Sequence, residues 1–388
     1  MNICGIICEY NPFHNGHKYH IEKTKSAYGA THIVGVMSGN FTQRGDVALV
    51  DKYKRAETAL KNGVDLVIEL PAAYALGSAE QFAYGAVYLL NALGCVNMLS
   101  FGSESGNINA LREAAGAVLY AQETDELANF MKSGLSYPAA LKKAIGKFYT
   151  DDVIETLACP NNTLAVEYVK AIDSTASPIK PVTVKRYGAE HDSETSTLEG
   201  NILSASQIRK MIEAGKDVSR YAPKCDFSET ASAARLETAI LSKLRGMNKS
   251  ALERTPNVLM GLENRIQRAV SVASSLNELY FLVKTKRYTL ARIRRIILSA
   301  FLGITKNDLQ IPPSYVRILG MNGKGKEILA QAKCELPINT SLSQLSKTGD
   351  NAKKQAKLEA RCGDQYALAF EKKHPCGLDF TAKPVIIE

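Results

Sequence analysis

Between residues 9 and 17 the chain reads Glu-Tyr-Asn-Pro-Phe-His-Asn-Gly-His, with His14 and His17 three apart and Gly16 between them. On a helix that spacing puts both imidazoles on one face. If the face opens the helix, unpaired backbone N–H groups there favour a bound anion. Two imidazole N–H donors beside them suit a phosphate whose charge grows during attack. Gly16 lets the backbone come close to such a ligand. The alternative is two histidines that cap the helix or hold a metal, and the place of the motif after an apolar run and an Asn-Pro-Phe turn favours the nucleotide site.

Other polar stretches invite a similar reading. Residues 38–45, Ser-Gly-Asn-Phe-Thr-Gln-Arg-Gly, follow an apolar run, so Arg44 faces substrate or phosphate, or else only water. Ser204-Ala205-Ser206 ahead of Gln207-Ile208-Arg209 is a helix N-cap by its pattern, and equally a capped helix end with a guanidinium suited to phosphates. Arg186 closes an apolar run, and His191-Asp192 either orients it or merely fills a loop. His20, one turn beyond His17, packs or faces water, and His32 opens a strand. The eight cysteines form no C-x-x-C pair, and Cys362, His374 and Cys376 fit no common zinc spacing. Neither a disulfide framework nor a metal centre is expected.

These residues must be held by elements the pattern also outlines. Ile3–Cys8 is a short apolar run suited to a buried strand, and an amphipathic stretch over 16–28 follows it, closed by Gly29. The cycle repeats with strands at 32–37, Leu66–Leu70, 98–101 and 182–187, and helices at Lys52–Lys61, 78–91 and 107–120. That order predicts an α/β, Rossmann-like parallel sheet, with the histidine motif at the carboxyl end of its first strand, where ligands bind in such sheets.

Past residues 221–223 the pattern changes. Leu290, Ile293, Ile297 and Phe301 recur at helical spacing, and residues 347–361, rich in Ala and Lys, suit a surface helix. Charge divides at the same place: residues 1–220 carry 21 Lys/Arg against 24 Asp/Glu, leaving 27 against 15 for 221–388. We therefore expect a catalytic domain over 1–220 and a mainly α-helical basic domain over 221–388. An excess of positive charge in one part is the footprint of polyanion binding, and without a lipid anchor RNA is preferred to membrane. Lys284, Lys286, Arg287, Arg292 and Arg295 are the candidate RNA contacts, with Tyr280, Phe281 and Tyr288 nearby for base stacking or core packing. No 18-residue apolar run and no signal-peptide pattern is found, so a cytoplasmic protein is expected.

Taken in order, the motifs at 9–17 and 38–45, Leu66-Val67-Ile68-Glu69-Leu70-Pro71, Phe101-Gly102-Ser103-Glu104, Pro160-Asn161-Asn162-Thr163-Leu164 and 204–209 resemble one family. The chain is similar, over almost its whole length, to the tRNA(Met) cytidine acetate ligases of the H-x-G-H nucleotidylyltransferase superfamily. Ala165 stands where that family usually has Gly, a difference of local packing. The resemblance implies ATP, accompanied by Mg²⁺, and acetate as substrates, an acetyl-adenylate intermediate and N4-acetylation of the wobble cytidine of elongator tRNA(Met). It implies an ATP site over Ile7, Cys8, Glu9, Tyr10, Asn11, Pro12, Phe13, His14, Asn15, Gly16, His17 and His20, joined by Gly102, Asn161, Asn162 and Arg186. Ser204, Ser206 and Arg209 would close over the phosphates, and His14, His17 and Arg44 would carry the chemistry. Two other classes remain at this point: a nucleotidylyltransferase that builds a dinucleotide cofactor, which has no use for a large basic domain, and a non-catalytic RNA-binding protein.

Overall fold

The computed structural model describes residues 1–186 and 201–388. The end of the strand expected at 182–187 and the His191-Asp192 pair lie outside the described residues. The first apolar run forms β1 (Ile3–Cys8), followed by the helix Asn15–Tyr28 and then β2 (His32–Ser38). A two-residue hairpin, β3 (Phe41–Thr42) and β4 (Asp46–Val47), leads to the helix Lys52–Lys61 and to β5 (Leu66–Leu70). β6 (Met98–Ser103) and β7 (Lys180–Lys185) complete the first half of the sheet.

Alternation along these strands assigns the two faces of the sheet. Val34 and Val36 join Leu66 and Ile68 on one side, under the helices Ala79–Ala92, Ile108–Glu123 and Pro160–Ser174. Ile33, Met37 and Val67 join Cys4 and Ile6 on the other, against Ile21 of the first helix and Ala56, Ala59 and Leu60 of the Lys52–Lys61 helix. β5, β2, β1, β6 and β7 run parallel in that order, as expected for crossover connections through helices.

The chain after residue 221 is mostly helical and also adds strands to this sheet. β8 (Val316–Met321) lies antiparallel on β5, and β9 (Ile338–Asn339) and β10 (Val385–Ile386) pair with β8. Arg317 disguises β8 as a solvent-facing segment, yet it is only 1% exposed. Its guanidinium meets Glu69 at 2.9 Å and Asp379 at 2.6 Å, and Lys52 meets Glu69 at 2.6 Å and also contacts Asp379. Two cations and two carboxylates thus neutralise each other inside the fold. Burial, with Glu69 nearby, pushes the neighbouring Glu359 carboxyl up to about 8. The helical part also packs on the segments that follow β2 and β5: Phe41, Val47 and Leu76 share a core with Ile240, Ile266, Ile297 and Phe301.

Candidate active site

β1 delivers the chain into the histidine motif at the carboxyl edge of the sheet. Tyr10 takes a left-handed conformation (φ +47°), and His14 becomes the N-cap of the Asn15–Tyr28 helix. The His14 Nδ1 accepts the Gly16 N–H at 3.0 Å, and the His17 Nδ1 accepts the His14 N–H at 3.2 Å. The capping role that spacing left open is therefore real. It also fixes the chemistry: a ring that accepts through Nδ1 carries its proton on Nε2. Each imidazole keeps an Nε2–H donor for a ligand. The rings stack with centroids 3.8 Å apart, and Tyr10 and Phe13 pack against His17 at 4.9 and 5.4 Å.

Burial keeps these rings neutral. It pulls His14 down to about 3, helped by the Arg186 and Arg209 charges, and takes His17 well below its usual range. His20 drops to about 4 for the same first reason, with Arg186 adding to it, and its Nε2 lies 2.9 Å from the Ser100 Oγ. Gly16 is needed for this arrangement, since a Cβ there would stand 2.9 Å from His14 Cε1.

The rings face a cleft of about 80 Å³ that also meets Gly102, Arg186 and Ser204. A Cβ on Gly102 would lie 3.2 Å from Arg186 Cγ, so the glycine makes room for that side chain. Ser204 caps the helix Ala205–Glu213 and closes a capping box with Gln207, and Ser206 Oγ sits 3.0 Å from Ser204 Oγ. Arg209 donates to the Asn11 carbonyl at 2.7 Å, which docks this helix onto the histidine motif.

Other residues of the implied site make hydrogen bonds within the protein. Ile7 and Cys8 end β1. Asn11 Oδ1 accepts the Leu49 N–H, with Pro12 next to it, and the Asn15 amide donates to the carbonyls of Asn201 and Arg220. Asn161 donates to Glu104 at 2.6 Å, and Asn162 Oδ1 accepts the N–H of Glu104 and Ser105. They brace the turn after β6. Glu9 accepts the Gln43 N–H at 2.6 Å, and burial raises its carboxyl against the pull of Arg55, Arg44 and Arg209.

Arg55 was not anticipated. Fully buried, it donates to the carbonyls of Val50, Glu9, Ser38 and Gly39 and so ties the ends of β1 and β2 together. In sequence it is one more cation on an amphipathic helix.

Arg44 is exposed at the tip of the β3–β4 hairpin. The hairpin rests on the helix Leu290–Leu302: Gly45 has φ +78°, and a Cβ there would lie 2.5 Å from the Arg295 nitrogen. Lys284, Lys286 and Arg287 are exposed. Arg292 and Arg295 are half-buried. Arg292 donates to the Asn257 carbonyl at 3.0 Å and covers the Tyr288 ring, and Arg295 donates to the Gln43 carbonyl at 3.2 Å. Burial, with Arg292 beside it, pulls Arg295 down to about 10. Tyr280 and Tyr288 are core residues, whereas Phe281 is 79% exposed. Cys362 is buried in the core, His374 stacks on Phe370, and Cys376 is exposed. Among the described residues no group of His, Cys, Asp and Glu is arranged to hold a metal ion.

The HIGH Nucleotidyl Transferase family matches residues 1–377. A tRNA(Met) cytidine acetate ligase of Thermoanaerobacter sp. (strain X514) is 41% identical over 98% of both chains, and that of Acetivibrio thermocellus is 38% identical over the full length of both. The chain belongs to the tRNA(Met) cytidine acetate ligase family. Among solved structures, the Thermotoga maritima TmcAL with bound alpha-thio ATP has a TM-score of 0.90 at 31% identity, over 100% of this chain and 99% of that one. Its apo form gives 0.92 at 32% over both full lengths. The family assignment and the fold expected from sequence therefore agree with the ligase structures, and within that fold the paired histidines of this chain stand at the start of its first helix.

Proposed function

We propose that this protein activates acetate with ATP as acetyl-adenylate and transfers the acetyl group to N4 of the wobble cytidine of elongator tRNA(Met). The observation that carries this reading is the pair of stacked, neutral imidazoles, anchored through Nδ1 and offering two Nε2–H donors at a helix N-terminus beside Arg186. An acetate oxygen attacks the α-phosphate of ATP, pyrophosphate leaves, and acetyl-AMP forms. The charge that builds on the phosphate oxygens is met by His14 and His17, by Arg186, and by the end of the helix, none of which needs to reorganise. Arg44 and Arg209, with the Ser204–Ser206 cap, approach from the other elements of the rim. Magnesium bound with ATP would supply positive charge at the phosphates, and among the described residues no carboxylate cluster is arranged to hold it apart from the nucleotide.

The cytidine amine then attacks the acetyl carbonyl, the N–H proton leaves, and AMP departs. This amine is a weak nucleophile, so positioning and exclusion of water supply much of the second step. An unpaired loop base reaches the cleft more easily than one held in a duplex. In this reading the exposed Lys284, Lys286 and Arg287 take tRNA phosphates and the protein works in the cytoplasm. A synthesis of dinucleotide cofactors would not need that surface. The test is acetate-dependent exchange of pyrophosphate into ATP, followed by transfer of labelled acetate to tRNA. The reading requires both, and exchange that is indifferent to acetate would overturn it.

A further inference from the structure

A second hollow, of about 480 Å³, opens where Leu70 ends β5 and Pro71 turns the chain. It lies on the same carboxyl edge of the sheet as the cleft, yet the adenylation step described above has no use for it. Its walls combine the apolar faces of Pro71, Tyr74 and Leu358 with the amides of Asn307, Asn351 and Gln355. The acids beside it are engaged: Asp308 accepts from the Thr305 N–H and hydroxyl, and Glu359 accepts the Ala72 N–H. Gln355 Oε1 accepts the Ser314 N–H at 2.9 Å, and the rest of its amide faces the Tyr315 hydroxyl. Lys354 stands at the rim, and Lys353 and Lys357 are exposed on the same helix, Asp350–Tyr366.

Flat apolar walls suit the faces of a base, amides suit its hydrogen-bonding edge, and lysines at the mouth suit its phosphate. A duplex has no way into such a hollow. Only β2 separates β5 from β1, so the hollow and the histidine motif follow strands that end on the same edge of the sheet. We propose that the hollow binds an unpaired nucleobase of the tRNA loop, a near neighbour of the cytidine that is acetylated. This inference rests on the tRNA-acetylating function proposed above.

The test uses the full chain with ATP, acetate and an anticodon stem-loop RNA carrying 4-thiouridine at each unpaired position in turn. On irradiation, one position other than the reacting base should cross-link to Tyr74 or to the peptide 351–359. Asn351 is exposed, so Asn351→Trp fills the hollow from its rim. It should abolish that cross-link and raise the KM for RNA about tenfold, in line with the loss of one stacked base. Lys354→Glu, a surface change, should raise KM in the same direction, and neither variant should alter ATP–pyrophosphate exchange. Cross-links that all map elsewhere, or an unchanged KM in both variants while the RNA is acetylated, would overturn the inference alone. So would loss of the cross-link to free AMP at a concentration that leaves acetylation intact, since the hollow would then hold a mononucleotide. Failure of the unaltered protein to acetylate the RNA would overturn the proposed function, and this inference with it.

Discussion

His14 and His17 are set by their own backbone: each Nδ1 takes a backbone N–H, which leaves Nε2–H aimed away from the helix. Gly16→Ala removes no functional group, yet its Cβ collides with the His14 ring. It should therefore slow adenylate formation much as His14→Asn does, by ~10²–10³-fold, the usual cost of one donor to a developing oxyanion. Acetate-dependent pyrophosphate exchange measures both, and normal exchange in Gly16→Ala would count against the geometry. Because the folded pKa of His14 is depressed to about 3, the unfolded chain binds the proton first as pH falls below about 6.5. Stability from this group is thus full above that range and declines on acidification toward 3. Asn keeps the cap, so His14→Asn should match the unaltered protein near pH 7 and gain on the order of 2 kcal/mol over it by pH 5 in urea unfolding. An identical pH dependence would show that the ring titrates freely. The motif, its position and Gly16 were legible in the sequence because local spacing encodes them. Arg55 and the Asn162–Glu104 brace were not, because their partners are carbonyls and N–H groups brought together only by the fold.

At the scale of elements, the β3–β4 hairpin and the helix Leu290–Leu302 hold each other through Gly45, Gln43 and Arg295. The helical stripe was legible, since Ile293 and Ile297 are fully buried. Which cations face outward was not, because charge on a helix says nothing of what packs against its sides. The double change Lys286→Glu and Arg287→Glu should weaken tRNA binding and lower its log–log salt slope by about 0.9 for each duplex phosphate left without its cation, or about 0.7 for each on a single strand. The melting temperature should stay unchanged. Arg292→Glu with Arg295→Glu should instead lower it, since both side chains are packed and bonded to carbonyls. A salt slope unchanged by the first pair would make that surface a solvated face only.

The whole molecule is closed by its last residues. Asp379 and Arg317 reach back to Lys52 and Glu69 beneath the loops that end β2 and β5, so residues 1–220 on their own lack half of a buried charge balance and the strand that covers β5. The composition shift at 221 was visible in the sequence; this return to the sheet was not, because no local pattern marks a strand that carries a buried arginine. Asp379→Asn leaves two buried cations facing one carboxylate and should cost about 3–5 kcal/mol in denaturant unfolding. A fragment 1–220 should accordingly be unstable, and a cooperative, ATP-binding fragment would contradict the closed architecture.

The most direct test of the central claim is the mass of the nucleosides from unmodified elongator tRNA(Met) incubated with the protein, ATP and isotopically labelled acetate. The account predicts labelled N4-acetylcytidine at the wobble position, formed with AMP and pyrophosphate and lost in His14→Asn. Acetate-dependent pyrophosphate release with no label in the tRNA would contradict it.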